Sequence, residues 1–469
     1  MTEALWSLDA IETARRIAER DVSAAEVVES HLERLDAVNP ALNAVTRPLH
    51  DAAREQARDA DARQGRGEGL GALHGVPVTI KDNVDIAGQS SPNGLAALDG
   101  ILAGANSPVV DNLLAAGAIV IGRTNTPEFS LRWHTDNPLF GATVNPWNAS
   151  LTPGGSSGGA SSSLAAGIGC IAHGNDLGGS LRYPAYCTGL TTIRPTQGRI
   201  PAFNPTATGE RPPALLRMST QGPITRSVAD AGRALEVMAG HDPRDPFWVP
   251  ARREQPDPES PVPVALVRTP PGTPVSPGVA RALDRAARML EASGDYRVEE
   301  VEPPELGLCA EVWTGLITAE TRTMMGETIR EMGSPDIIAS LEHFESYHPA
   351  VDLAGYMGLL AERTRLLRAW TGFLQQHRLI VGPVSTIPPF APNEDVGPRP
   401  GAERIFRSQS LLVTVNLLGL PSVAVCTGLD EGLPLGVQVI GARFGDELCL
   451  GAAATIEAAA GRVTPIDPR

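Results

Sequence analysis

Two turns rich in glycine and serine, whose serines Ser156 and Ser180 lie 24 positions apart, constrain this chain more than any other feature. The first is Pro153–Gly159, and a helix of small residues is expected after it, over about 160–168. An apolar strand is expected at Ile168–His173, followed by the second turn at Asn175–Ser180. Flexible linkers do not alternate such turns with apolar strand and helix patterns. The same alternation runs along most of the chain and implies an α/β sheet. Val76–Ile80 reads as a short β-branched strand that ends on Lys81, and Ala118–Gly122, 379–388, 421–426 and Gly436–Ile440 read as further strands. Residues 7–37 read as two amphipathic helices, the second opening on a Ser23–Glu26 capping box. Further helices are expected at 48–64, 107–116, 277–293, 308–332, 352–377 and 446–460, and a loop at Asn137–Asn148. The Pro-rich stretch 249–276 reads as a junction into a peripheral, mostly helical subregion, 250–378, within one domain spanning 1–469.

Composition narrows the function. The formal charge is −15, which repels phosphate backbones and anionic lipid, so neither nucleic acid nor a membrane is expected as a partner. No run reaches the roughly 18 apolar residues of a spanning helix. The five cysteines (170, 187, 309, 426 and 449) are dispersed and form no C-x-x-C pair, which argues against a disulfide framework and a zinc site. No metal or other cofactor is expected. The start of the chain carries Glu3 where a signal peptide wants cations, so the expectation is a soluble protein of the reduced cytoplasm. Of 39 basic residues only Lys81 is lysine. Arginine is effectively never deprotonated, whereas a buried lysine can lose its proton.

Several chemistries compete for the two turns. Gly154-Gly-Ser-Ser-Gly158 fits the G-x-S-x-G nucleophile elbow, but Trp147–Pro153 is loop-like where an elbow needs a strand. No later histidine (173, 241, 343, 348, 377) sits in a recognisable triad setting. A Walker loop ends in Gly-Lys-Ser/Thr, and the single lysine lies upstream of both turns. Amide cleavage needs a nucleophile, a base, an acid for the leaving nitrogen and donors for an oxyanion. Asp176-Leu-Gly-Gly-Ser180 can supply the nucleophile together with converging main-chain N–H groups. Lys81, if buried, can be the base, and the Ser156 hydroxyl, which both donates and accepts, can stand between them.

Lys81, Gly154-Gly-Ser-Ser-Gly-Gly159 and Gly174-Asn-Asp-Leu-Gly-Gly-Ser180 resemble the amidase signature family. Flanking segments agree: Gly122-Arg-Thr-Asn-Thr-Pro-Glu128, Thr143-Val-Asn-Pro-Trp147, Gly198-Arg199, Gln221–Asp230 and Asn416-Leu-Leu-Gly-Leu-Pro421. The resemblance implies a large twisted mixed β-sheet flanked by helices on both faces. It also implies a serine–cis-serine–lysine triad: Ser180 as nucleophile, Ser156 after a cis peptide bond as bridge, and Lys81 as base. The N–H groups of Leu177, Gly178, Gly179 and Ser180 would form the oxyanion hole, with Ser157, Asp176 and Arg182 in support. Asn175, Leu177 and Ala160 depart from the residues common in the family.

The resemblance places Leu131, Arg132, Trp133 and His134 where relatives line the acyl pocket. Trp133 can stack an aromatic acyl group or pack in the core, and His134 reads better as a structural histidine. Trp313, Met324, Met325, Phe344, Tyr347 and Tyr356 fall in the most variable region and read as helix packing rather than a pocket cover. The expected reaction is hydrolysis of a small to medium aromatic or aliphatic carboxamide, and a homodimer is left open. An alternative is the glutaminase component of a tRNA-dependent amidotransferase. The Asp-Gly-x-x-Tyr/Phe-Gly segment and glutamine-holding Arg of that component are not found here. An α/β-hydrolase-type esterase is a further alternative.

Overall fold

In the computed structural model, residues 4–251, 261–268 and 273–469 are described. The strands are β1 (Val45–Pro48), β2 (Pro77–Lys81), β3 (Ile119–Thr124), β4 (Ile171–Asp176), β5 (Thr191–Arg194), β6 (Thr220–Thr225), β7 (Val262–Leu266), β8 (Tyr296–Glu300), β9 (Leu379–Pro383), β10 (Ser422–Asp430) and β11 (Leu433–Gly441). They join into one sheet of order β1-β3-β2-β4-β6-β5-β10-β11-β9-β7-β8. Parallel pairing of β2 with β3 and β4, and of β7 with β8 and β9, alternates with antiparallel pairs elsewhere, so the sheet is mixed.

The helices in the first half are α1 (Ala10–Ala18), α2 (Ala24–Leu42), α3 (His50–Gly65), α4 (Pro108–Ala115), α5 (Gly158–Ala165), α6 (Arg182–Thr188), α7 (Pro213–Met218) and α8 (Val228–Met238). The second half holds α9 (Pro277–Ser293), α10 (Leu306–Met324), α11 (Gly326–Met332), α12 (Pro335–Tyr347), α13 (Leu353–Gln376), α14 (Arg399–Ser408), α15 (Ser410–Leu418) and α16 (Asp446–Ala460). None of these is long and apolar enough to cross a membrane.

Side chains of a strand alternate between faces, and here the alternation feeds separate cores. Leu379 and Val381 of β9 join a core with α4, α8, α9 and α16, while Ile380 joins one built on α10, α13 and α15. Val120 of β3 points to the first of these, and Ile119 and Ile121 meet α2 and α3. Helices therefore cover both faces of the sheet, as the resemblance implies. β2, β3 and β9 are buried along their whole length.

The structure corrects several boundaries. The small-residue helix starts at Gly158, immediately after the first turn. The helix expected at 308–332 breaks at Met325, whose φ of −130° is not helical. β7 and β8 extend the sheet, so the early part of the 250–378 stretch belongs to it, and α10–α13 follow as helices. β8 reads Tyr-Arg-Val-Glu-Glu and is mostly exposed at the sheet edge, which leaves no apolar alternation to detect. Of the Pro-rich junction, 252–260 and 269–272 lie outside the described residues.

Because β2 and β4 run parallel, with Val78 opposite Ile171 and Thr79 opposite Ala172, their carboxyl ends open at the same edge. Lys81 ends one and Asp176 the other. α5 packs against both strands and delivers the first turn to that edge.

The Ser23–Glu26 capping box forms reciprocally, Ser23 accepting from the Glu26 N–H and Glu26 from the Ser23 N–H. Ser23→Ala should cost about 1 kcal/mol and accelerate amide hydrogen exchange several-fold in the first turn of α2. Unchanged exchange there would show that the cap is dispensable.

Candidate active site

Lys81 is fully buried. Its Nζ meets three oxygens: Ser156 Oγ at 2.7 Å, Asn175 Oδ1 at 2.8 Å and Ser157 Oγ at 3.1 Å. Burial holds the amine well below the usual lysine range, although the Asp176 carboxylate works the other way. An amine kept uncharged in this way can accept a proton. Asn175 is held by its own Nδ2, which donates to Asn83 Oδ1 at 2.9 Å. Asn83 in turn donates to Ser130 Oγ at 2.9 Å. One of the three residues that depart from the family pattern is thus a direct partner of the lysine.

The peptide bond between Gly155 and Ser156 is cis. The first turn runs against the 132–134 segment so closely that a Cβ on Gly155 would stand 2.5 Å from the Arg132 carbonyl oxygen. Only glycine fits that approach.

The second turn is built around Asp176. Its carboxylate accepts from the Gly179 N–H (2.8 Å), the Leu181 N–H (3.2 Å), Asn416 Nδ2 (2.7 Å) and Arg182 Nε (3.1 Å). Burial alone would raise its pKa, but the Arg182 and Arg194 guanidiniums outweigh this and hold it well below the usual carboxylate range. Arg182 also donates to Asn416 Oδ1 at 2.6 Å and Gln438 Oε1 at 2.9 Å, which ties the turn to α15 and β11. Asp176 and Arg182 therefore tie the turn to its surroundings. Gly179 does not match its expected role. Its N–H is spent on Asp176, because an Asp side chain reaches back to main-chain N–H groups a few residues on. Among the described residues, the N–H groups of Leu177, Gly178 and Ser180 are given to no protein acceptor. The Ser180 side chain borders a cavity, and among the described residues its hydroxyl makes no hydrogen bond.

That cavity is almost wholly apolar. Leu131, Trp133, Trp313, Ile317, Leu341 and Phe344 supply much of its wall. Leu131 and Trp133 thus line the cavity that Ser180 borders, whereas His134 does not. It is buried against Thr152 Oγ1 at 2.9 Å, and burial pulls its pKa down to about 4. Arg132 is the one charged residue among the described lining residues, and it is paired with Asp395 at 2.9 Å and Asn393 at 2.7 Å. Trp313 and Phe344 were expected as packing and are cavity wall instead. Tyr347 stacks on Phe406 at 4.6 Å, Tyr356 bonds Glu320 at 2.5 Å, and Met324 is exposed, so those three follow the packing expectation or lie outside the cavity. Among the described residues no group of three or more His, Cys, Asp or Glu is placed to hold a metal.

The Amidase family model matches residues 26–450. The chain belongs to the amidase family. Indoleacetamide hydrolase of Bradyrhizobium diazoefficiens is 47% identical, over 97% of this chain and 87% of its own length. The acylamidase of Rhodococcus erythropolis is 33% identical, over 98% of this chain and 97% of its own length. Among solved structures, a bacterial aryl acylamidase of the amidase signature family superposes with a TM-score of 0.83 at 29% identity, over 97% of this chain and 96% of that one. The amidase hydrolyses amide C–N bonds, as its family does.

Three site features escaped the sequence. Asn416 lies in a flanking segment that matches the family, but nothing in that segment points to Asp176. Asn175 registered only as a departure from the family pattern. The Gly179 tether had a detectable signal, since an Asp three residues before a glycine N–H is a turn pattern.

Asp176→Asn should leave Arg182 and Arg194 buried without their counter-charge and cost about 3–5 kcal/mol, read as a lower Tm. Because the folded pKa of Asp176 is depressed, its contribution is present above the ordinary carboxylate pKa of about 4. The contribution is lost as pH falls through the lower folded value, so the Tm gap between the two proteins should close in acid.

Proposed function

We propose that this amidase cleaves an arylacetamide-type carboxamide to the carboxylic acid and ammonia through an acyl-serine on Ser180. The observation that carries the reading is the fully buried Lys81 amine bonded to Ser156, its pKa pushed down by that burial, together with a serine that borders an apolar aromatic cavity.

Hydrogen-bond polarity supports Ser156 as the relay. A neutral amine has two N–H groups and one lone pair. Asn175 Oδ1 can only accept. Ser157 donates its own hydroxyl proton to the Asn175 main-chain carbonyl at 3.5 Å, so it too accepts from Lys81. Ser156 is left as the group that donates to the lone pair. When substrate arrives, Ser156 gives this proton to Lys81 and takes one from Ser180, which attacks the amide carbon. The new ammonium donates to all three oxygens around it, so it is satisfied while it lasts. The oxyanion forms against the Leu177, Gly178 and Ser180 N–H groups. The proton then returns along the same path to the leaving nitrogen, and water repeats the cycle on the acyl-enzyme. The Ser180–Ser156 link closes as the substrate seats, since catalytic hydrogen bonds are often open in a free enzyme.

The substrate class rests on the cavity. Trp133, Trp313 and Phe344 suit a flat aromatic acyl group, and the 47% identical relative is an indoleacetamide hydrolase. The glutaminase reading is disfavoured, because the charged lining residue Arg132 is already paired with Asp395 and has no free face for an α-carboxylate. A cytoplasmic location is supported by five cysteines that are all unpaired.

Lys81→Arg should lower kcat/KM by at least about 10³-fold, close to the loss in Lys81→Ala, because a guanidinium is not a base. An Arg variant with most of its activity would remove Lys81 from the base role. Since only the neutral amine accepts a proton, kcat/KM should fall along a one-proton limb as pH drops through the Lys81 pKa, well below 10.5, and be level above it. Ammonia release should be fast from indoleacetamide and phenylacetamide and near background from glutamine. Glutamine as the preferred substrate would reverse the assignment.

A further inference from the structure

Two indole N–H groups grip the Ser180 turn from behind. Trp133 donates from Nε1 to the Gly178 carbonyl at 2.8 Å, and Trp313 donates from Nε1 to the Leu177 carbonyl at 3.3 Å. One comes from the segment after β3 and the other from α10, so distant parts of the chain converge on two consecutive carbonyls. A trans peptide unit is planar, and its C=O and N–H point in opposite directions. A donor on the Leu177 carbonyl therefore fixes where the Gly178 N–H points. A donor on the Gly178 carbonyl fixes the Gly179 N–H in the same way, and that group is held by Asp176 at its other end. The Gly178–Gly179 peptide is thus a fastened strut, while the Leu177–Gly178 peptide has its carbonyl held and its N–H free. The approach is close, since a Cβ on Gly178 would stand 2.8 Å from Trp313 Cζ2. Trp313 is also a wall of the acyl cavity, its ring 6.2 Å from Phe344.

We propose that Trp313 is a positioning residue for the oxyanion, its indole N–H aiming and polarising the Gly178 N–H while its ring bears on the acyl group. This rests on Ser180 as the nucleophile. The same side chain touches the acyl group and steers a donor to the developing charge, so a well-seated aromatic acyl group improves kcat as well as KM. Trp133 has the other part: it fastens the strut on which the turn is hung.

Trp313→Phe keeps an aromatic wall and removes the N–H. Losing a direct oxyanion donor costs about 10²–10³-fold in kcat, and loss of an indirect one should cost about 10-fold with KM within about 2-fold. Affinity for a trifluoromethyl ketone carrying the phenylacetyl group should fall by the same ~10-fold, because the ketone adduct places an oxyanion on the turn. Affinity for phenylacetate, the product, should not change. The ratio of the two inhibition constants is read only from folded sites, so partial unfolding of the variant does not imitate the effect. Ile317→Ala, a wall change with no N–H at stake, should raise KM and leave that ratio at the wild-type value. The proposal is overturned if Trp313→Phe keeps wild-type kcat, if ketone and product weaken equally, or if Ile317→Ala shifts the ratio as Trp313→Phe does. Labelling of wild-type Ser180 by a fluorophosphonate tests the nucleophile separately, and its failure would fell the underlying assignment rather than the role of Trp313.

Discussion

The site depends on keeping one amine dry. A lysine in water is ammonium at neutral pH, and burial works against that charged form. The fold achieves burial by placing Lys81 at the end of an interior strand with β3 and β4 on either side. It then surrounds Nζ with neutral oxygens and keeps full charges one layer away. The nearby carboxylate, Asp176, would draw a proton back to the lysine, but its charge is absorbed by Arg182 and Arg194. The ion pair beneath the turn and the neutral amine beside it are therefore parts of one electrostatic arrangement. Removing a cation from the pair would change the amine as well as the turn.

The same arrangement fastens the Ser180 turn through groups outside it. A turn with two adjacent glycines is flexible in isolation. Here its carbonyls are held by two indoles and its third N–H by Asp176, and Asp176 is itself held by Asn416 on α15. The free N–H groups are those left over once the turn has been fastened. Preorganised donors of this kind need no reorientation when charge develops.

How much of this was legible in the sequence depended on whether the chemistry was carried by residue identity or by contact. Lys81 was legible because it is the single lysine of an arginine-rich chain and follows a β-branched strand. Ser156 and Ser180 were legible from their turns and spacing. The mixed sheet with two helical faces followed from the alternation of short strands and helices, together with the family resemblance. β8 was not legible, since an exposed polar edge strand has no apolar face. Nor was the division of aromatics in α10–α12. Trp313 and Tyr347 are both aromatic residues on peripheral helices, and only packing turns one to the cavity and the other onto Phe406. The Gly179 tether fell between these cases: the turn pattern was present, but the resemblance to a family with four main-chain donors outweighed it.

Chemistry and selectivity come from different parts of the chain. In the proposed reaction the proton-handling groups are Lys81 at the end of β2, Ser156 on the turn before α5 and Ser180 on the turn after β4. Much of the cavity wall comes from α10, α11 and α12, outside the sheet, where side chains can change without disturbing strand pairing. Such a division lets substrate range drift while the amine stays dry. It also carries a cost, because a wall that can drift does not by itself hold the oxyanion donors in register. Trp313 is where the two parts meet, being both cavity wall and hydrogen-bond donor to the Leu177 carbonyl. A substitution there cannot alter the fit of the acyl group without also altering the turn, whereas Ile317 and Leu341 can change the fit alone. Selectivity in this amidase should therefore be easier to redirect at Ile317 and Leu341 than at the indole that bonds the Ser180 turn.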